Sequence, residues 1–173
     1  MFFTRNYPAS LQRQRFEEIS VSDLCEQMNI PRKSFYRYFS SKEGALFSLL
    51  DHTIMELYDS IMQDDVCHSS PVNDLHRFFR FWYDHRDLLD ALDRSSLSGL
   101  LVQRAMFLAQ EEQPAAAHIT KPGTDLQGLA LPFTVCGLMS IVFQWHLEGF
   151  QIEPEALAHT AARLLSHPLM PNT

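Results

Sequence analysis

The chain has 173 residues, 46% of them hydrophobic and 20% charged, with only 6 Gly and a formal net charge of −7. That length and apolar content suit one or two small domains that bury a real core, and exclude a disordered or fibrous chain. The charge is divided unevenly. Residues 1–42 hold seven Lys and Arg against four acids, a balance of +3, whereas residues 43–173 hold seven against seventeen, a balance of −10. A basic head on an acidic body fits a protein that meets phosphate at one end only. The three cysteines at 25, 67 and 136 are odd in number and lack Cys-x-x-Cys spacing, which fits reduced, structural thiols and a cytoplasmic protein. The sequence offers no apolar run of about 18 residues and no basic lead with an apolar core, so neither a membrane span nor a secretion signal is expected.

In chain order, Phe3, Tyr7 and Leu11 keep helical spacing, but Pro8 cannot sit mid-helix without removing a hydrogen bond. Asn6 is the expected cap of a short helix from about Tyr7 to Gln14. Ser20 is placed to cap the next helix by accepting the Asp23 amide, and Val21, Leu24, Cys25 and Met28 form its apolar stripe. Asn29-Ile30-Pro31 breaks that pattern, because Asn tolerates a left-handed backbone and proline suits the first turn of a new helix. Phe35 and Phe39 give the following helix an inner face and leave Arg32, Lys33, Ser34, Tyr36 and Arg37 pointing elsewhere. Two short helices joined by such a turn form a helix-turn-helix, whose second helix is sized for the major groove of B-DNA.

The stretch from Ile19 to Leu46, above all Phe35-Tyr36-Arg37-Tyr38-Phe39 followed by Ser41-Lys42-Glu43 and Leu46, resembles the DNA-binding region of the TetR family of bacterial transcription regulators. The resemblance implies an all-α fold: an N-terminal three-helix DNA-binding domain over 1–45, then a helical ligand-binding and dimerisation domain over 46–173. The chemistry of the residues agrees. Arg32, Lys33 and Arg37 carry donors able to reach guanine edges, while Ser22, Ser34, Tyr36 and Lys42 offer hydroxyl or ammonium groups to phosphate oxygens.

Ser41 is the expected cap of a longer helix to about Gln63, with Leu46, Leu49, Leu50, Ile54, Leu57 and Ile61 on its buried side. The family uses this helix as the lever between ligand pocket and DNA. Asp64 to Pro71 is a polar break. Beyond it Leu75, Phe78, Phe79 and Trp82 share one face, Leu88, Leu89 and Leu92 make a short helix, and Leu97 to Glu112 makes another. Gln113 to Thr124, with two prolines and a glycine, reads as a loop. Between Asp125 and Glu148 no charged residue occurs, so Leu126 to Phe150 reads as a helix apolar around most of its circumference, kinked or begun at Pro132. Such a helix needs cover on several sides, and a second copy supplies it. Trp145 to Gly149 followed by Pro154 to Leu157 resembles the join between the family's last two helices, which pair with those of a second subunit.

From these patterns Leu138, Ile141, Val142, Trp145, Leu157, Ala161 and Leu164 are expected at a dimer interface. Phe78, Phe79, Trp82, Phe107, Phe133 and Phe143 are expected around a small-molecule pocket, with plain core packing as the competing role for each. Scattered histidines such as His52, His76, His85, His146 and His159 form no metal motif, and no catalytic constellation or cofactor loop stands out. The resemblance therefore implies a non-enzymatic, ligand-responsive repressor that binds double-stranded palindromic DNA as a homodimer. The alternative is a helical dimer that binds a small molecule or protein and has lost DNA binding.

Overall fold

The computed structural model describes residues 9–62, 70–111 and 126–166, and among them every regular element is helical. Expectations that rest on Phe3, Asn6 and Tyr7, on residues 64–69 of the polar break, and on the loop at 113–124 lie outside the described residues. The helices are α1 (Ala9–Arg13), α2 (Val21–Gln27), α3 (Arg32–Tyr38), α4 (Lys42–Met62), α5 (Pro71–Asp84), α6 (Arg86–Arg94), α7 (Ser98–Glu111), α8 (Leu126–Leu147) and α9 (Pro154–Ser166), with a 3₁₀ turn at Phe16–Glu18 between α1 and α2.

Two compact units emerge: one combines residues up to Ile54 with Asp87–Val135, and the other combines Met55–Arg86 with Cys136–Thr173. The first unit therefore holds α1 to α3 and most of α4 together with α6 and α7. Its core includes Phe35, Leu49, Leu50, Leu88 and Leu101, all essentially inaccessible to solvent. Leu57 and Ile61, expected on the buried side of α4, are only half-buried.

In the second unit α5 packs against α9. The expected face of α5 holds: Leu75, Phe78, Phe79 and Trp82 are all buried. Trp145 is the hub, edge-on to Phe79 at 6.0 Å and stacked on Tyr83 at 5.9 Å between ring centres. Such aromatic pairs add about 0.5–1.5 kcal/mol each beyond the area they bury. Trp145 also donates its indole N–H to the Ile152 carbonyl at 2.9 Å. The chain can turn here because Gly149 (φ 71°) and Phe150 (φ 57°) are left-handed and α8 closes with bonds from Phe150 N to Trp145 O and from Gly149 N to His146 O.

Two expectations about α8 need correcting. Pro132, expected to kink the helix or begin it, does not begin it but lies inside Leu126–Leu147. The stretch Leu129–Leu147 is also long and apolar enough to cross a bilayer by length and composition, contrary to the expectation that no such run exists. Its inner side, at Met139, Val142 and Trp145, is buried in the protein's own core, whereas Leu129, Phe133 and Leu147 are 66–70% exposed.

Candidate nucleic-acid interface

The head is built from three short elements whose ends are fixed by side chains of their own sequence. Ser20 Oγ accepts the Asp23 amide at 3.2 Å, and the Asp23 carboxylate accepts the Ser20 amide at 2.8 Å. This reciprocal cap holds the Asp23 carboxyl below its ordinary value, through the Ser20 hydroxyl first and the Ser20 amide second. The other end of α2 closes on Asn29 at φ 50°, with bonds from Ile30 N to Cys25 O and from Asn29 N to Glu26 O. Asn29 thus does what its sequence context suggests: it turns the chain so that α3 leaves at a new angle. Pro31 stands just before α3 rather than within its first turn, with extended φ and ψ.

Phe35 is 0% exposed and anchors α3, edge-on to Tyr36 and tilted against Phe39 at 5.3 Å. Cys25 of α2 is a buried free thiol. A small, partly open pocket of about 20 Å3 is lined by Leu11, Phe16, Leu24, Phe35 and Leu46 among others. With the inner side anchored, Arg32, Lys33, Tyr36 and Arg37 are all exposed and Ser34 is half-buried. Residues three and four apart on a helix are neighbours, so the pairs 32/36, 33/37 and 33/36 join these four into one continuous surface.

Two of these cations rest on neighbours in the chain. Arg32 donates to Ser22 Oγ at 3.3 Å, so a residue of α2 and a residue of α3 expected to meet DNA already touch. Arg37 donates to the Tyr38 hydroxyl at 2.8 Å and its guanidinium lies 4.8 Å from the centre of the Tyr38 ring. Tyr38, which the sequence alone did not single out, therefore helps define how Arg37 is presented.

Lys42, expected to meet a phosphate, has partners within the chain. Its ammonium donates to the carbonyls of Phe16, Glu17 and Ile19 at 3.0, 3.0 and 3.1 Å and lies 4.9 Å from the Phe16 ring centre. Three carbonyls match the three N–H bonds of a lysine, so the group closes the turn before α2. Ser41 Oγ meanwhile accepts the Gly44 amide at 3.1 Å and opens α4 as expected.

This head has the size, order and exposed face of the helix-turn-helix that the sequence suggested. HTH-type transcriptional regulator EthR of Mycolicibacterium smegmatis (strain ATCC 700084 / mc(2)155) is 50% identical over 136 residues, covering 67% of this chain and 62% of the relative. That relative is a helix-turn-helix regulator of the TetR family, the family whose DNA-binding region residues 19–46 resemble. The chain spans less than two thirds of that relative's length. No protein-family profile matches the sequence. The fatty acid degradation regulator FadR from Bacillus halodurans has a similar fold, with a TM-score of 0.60 at 16% identity over 94% of this chain and 95% of that one.

The expected pocket and interface residues fall in unequal surroundings. Phe78, Phe79 and Trp82 are buried together on α5, and Phe143 is half-buried. Phe107 and Phe133 are 45% and 70% exposed and belong to the other compact unit. Of the residues expected between subunits, Val142, Trp145, Leu157 and Ala161 are enclosed within the protomer, at 0–7% exposure. Leu138 and Ile141 are half-buried and Leu164 is exposed. The apolar surface left uncovered on α8 runs instead through Leu129, Phe133 and Leu147.

Proposed function

We propose that this chain is an effector-responsive, DNA-binding transcriptional repressor of the TetR type that works as a homodimer on a palindromic operator. The observation that carries it is the exposed face of α3, where Arg32, Lys33, Tyr36 and Arg37 stand together on a helix pinned from behind by Phe35. In this reading Arg32, Lys33 and Arg37 reach base edges, and Ser22, Ser34 and Tyr36 position the head on phosphates. Lys42 leaves the set of phosphate contacts for the reason given above. Two heads related by a two-fold axis then meet half-sites about one helical turn apart.

The uncovered stripe of α8 supports self-association, since Leu129, Phe133 and Leu147 are large apolar side chains more than half exposed on one helix. The α5 aromatic cluster supports an effector site. The indole N–H of Trp82 is buried there with no hydrogen-bond partner among the described residues. A buried donor without a partner is costly, and an effector with an apolar body and a carbonyl or carboxylate acceptor would satisfy it. Effector binding then shifts the population between DNA-competent and DNA-incompetent dimers through α4.

Selection of genomic fragments by the purified protein tests the reading. Enrichment of one palindrome is expected, with affinity falling steeply as salt rises. Arg37→Ala should weaken that site by about 1–3 kcal/mol and relax the preference at one base pair of each half-site. No enrichment at low salt would leave a helical dimer that binds something other than DNA.

A further inference from the structure

One turn joins α1 to the reading head, and it is gripped from two sides within the same compact unit. The Phe16 amide donates to Ser95 Oγ at 2.9 Å, a buried bond between residues 79 positions apart. On the other side, Lys42 Nζ donates to the Phe16, Glu17 and Ile19 carbonyls. The peptide groups of Phe16 are thus held at both the N–H and the C=O. Ser95 is only 3% exposed and sits in the corner between α6 and α7, where Ser96 adopts a left-handed φ of 57°. One residue earlier, Arg94 donates to the Leu11 carbonyl of α1 at 3.4 Å. The α6–α7 corner therefore holds both α1 and the turn that opens, two residues later, into the Ser20 cap of α2.

We infer that Ser95 and Lys42 are positioning residues for the reading helix, and that the α6–α7 corner regulates DNA affinity by gripping or releasing the Phe16 turn. This rests on the proposed reading that α3 enters DNA. The turn fixes where α2 begins, and α2 with its Asn29 corner fixes the direction of α3. Neither residue needs to touch DNA to act. Ser95 is enclosed, and the donors of Lys42 are directed at carbonyls. A hydrogen bond of this kind weakens steeply once donor and acceptor separate beyond about 3.5 Å, so a shift of the corner by roughly an ångström breaks the Ser95 contact. The Phe16 amide would then be left buried and unpaired, and the turn relieves this by moving. A small displacement near α7 is in this way converted into a changed presentation of Arg32, Lys33 and Arg37.

The test uses the whole chain as wild type, Ser95→Ala, Ser95→Thr and Lys42→Met. Amide hydrogen exchange is followed at Phe16 and across α2 and α3. Binding is measured against salt on the duplex recovered by genomic selection, with a random-sequence duplex of equal length as reference. Ser95→Ala should speed exchange at Phe16 and lower affinity for the selected duplex, each by about tenfold, while the salt slope stays that of the wild type. Ser95→Thr, which keeps the hydroxyl, should recover most of both. Lys42→Met should also lower affinity without changing the slope, whereas loss of a phosphate contact would reduce the slope by about one. Wild-type exchange and affinity in Ser95→Ala would overturn the inference, and a reduced slope in Lys42→Met would overturn its lysine half. If the wild type binds neither duplex, the DNA reading fails on its own. The grip on the turn is then decided by exchange, with faster exchange in Ser95→Ala sustaining it and unchanged exchange ending it.

Discussion

Arg104 on α7 and Asp51 on α4 meet as a two-point ion pair, Nε to Oδ1 at 2.6 Å and Nη2 to Oδ2 at 2.7 Å. The guanidinium carbon also lies 4.8 Å from the centre of the Phe107 ring and 5.9 Å from that of Phe47. Phe107 thus shields an ion pair on the flank of the first unit. The side chains of the pair are 23% and 31% exposed, so water screens them less than an open surface pair. The fork of two short charge-assisted bonds requires the planar guanidinium.

Arg104→Ala is accordingly expected to destabilise the chain by about 1–2 kcal/mol, between the values typical of an exposed pair and of a charged hydrogen bond. Arg104→Lys keeps the charge but loses the fork and the flat stacking surface, and should recover less than half of that. Urea denaturation of the three proteins decides it, and a lysine variant as stable as wild type would show that charge alone matters here. Asp51 raises the affinity of Arg104 for its proton above the ordinary guanidinium value, chiefly through their hydrogen bond. For a base whose folded pKa is raised, the contribution is complete below the unfolded pKa and is lost only as pH rises through the folded one. That window lies above any ordinary working pH, so the effect of Arg104→Ala should not change between neutral and mildly alkaline buffer.

Acid should act elsewhere, at the start of α2. The Asp23 carboxyl is held below its ordinary value by Ser20, so its contribution is present above the unfolded value near 3.8 and is lost as pH falls through the lower folded value. Ser20→Ala removes the hydroxyl that acts on both the Asp23 amide and its carboxyl. NMR titration should find the Asp23 pKa of the variant moved up toward the ordinary value. A titration curve identical to the wild type would mean that the Ser20 hydroxyl does not hold Asp23 in solution.

Asn29 offers a backbone test of the same head. At φ 50° a β-branched side chain is strained, while glycine is at ease. Asn29→Val should cost about 1–2 kcal/mol and Asn29→Gly should be close to neutral. Thermal melts that ranked the two variants the other way would show that the left-handed corner is not kept.

The parts of the molecule that could be read from sequence are those whose causes are local. Ser20, Asn29, Phe35 and Ser41 each act on a residue within a few positions, and each sits where its neighbours require. The contacts that tie the head to the rest of its unit were not legible, because they join residues far apart: Phe16 to Ser95 over 79 positions, Arg104 to Asp51 over 53, and Lys42 to Phe16 over 26. Lys42 shows the limit well. Its residue type and its position at the start of α4 suit a phosphate contact, yet the carbonyls of a turn come within its reach first. On α8 the difficulty is different. A helix with no charged residue over 126–147 has no polar side from which to infer the inner one. What turns Trp145 inward is the set of rings on other elements, Phe79 and Tyr83 of α5 and Phe150 after α8.

That inward turn separates folding from the self-association proposed above on a single helix, and the two can be tested against each other. Trp145 is 2% exposed and touches three aromatic rings besides donating to Ile152. Trp145→Ala should cost about 3–5 kcal/mol and lower the melting temperature steeply. Phe133 and Leu147 are 70% and 68% exposed, so replacing either with serine removes little from the protomer's own core. Phe133→Ser with Leu147→Ser should leave urea denaturation at low protein concentration nearly unchanged while shifting sedimentation from dimer toward monomer. The same pair should weaken binding to a palindrome more than to a single half-site, because only the dimer places two heads on one duplex. A double variant that sediments as the wild type does would move the subunit contact off this stripe of α8.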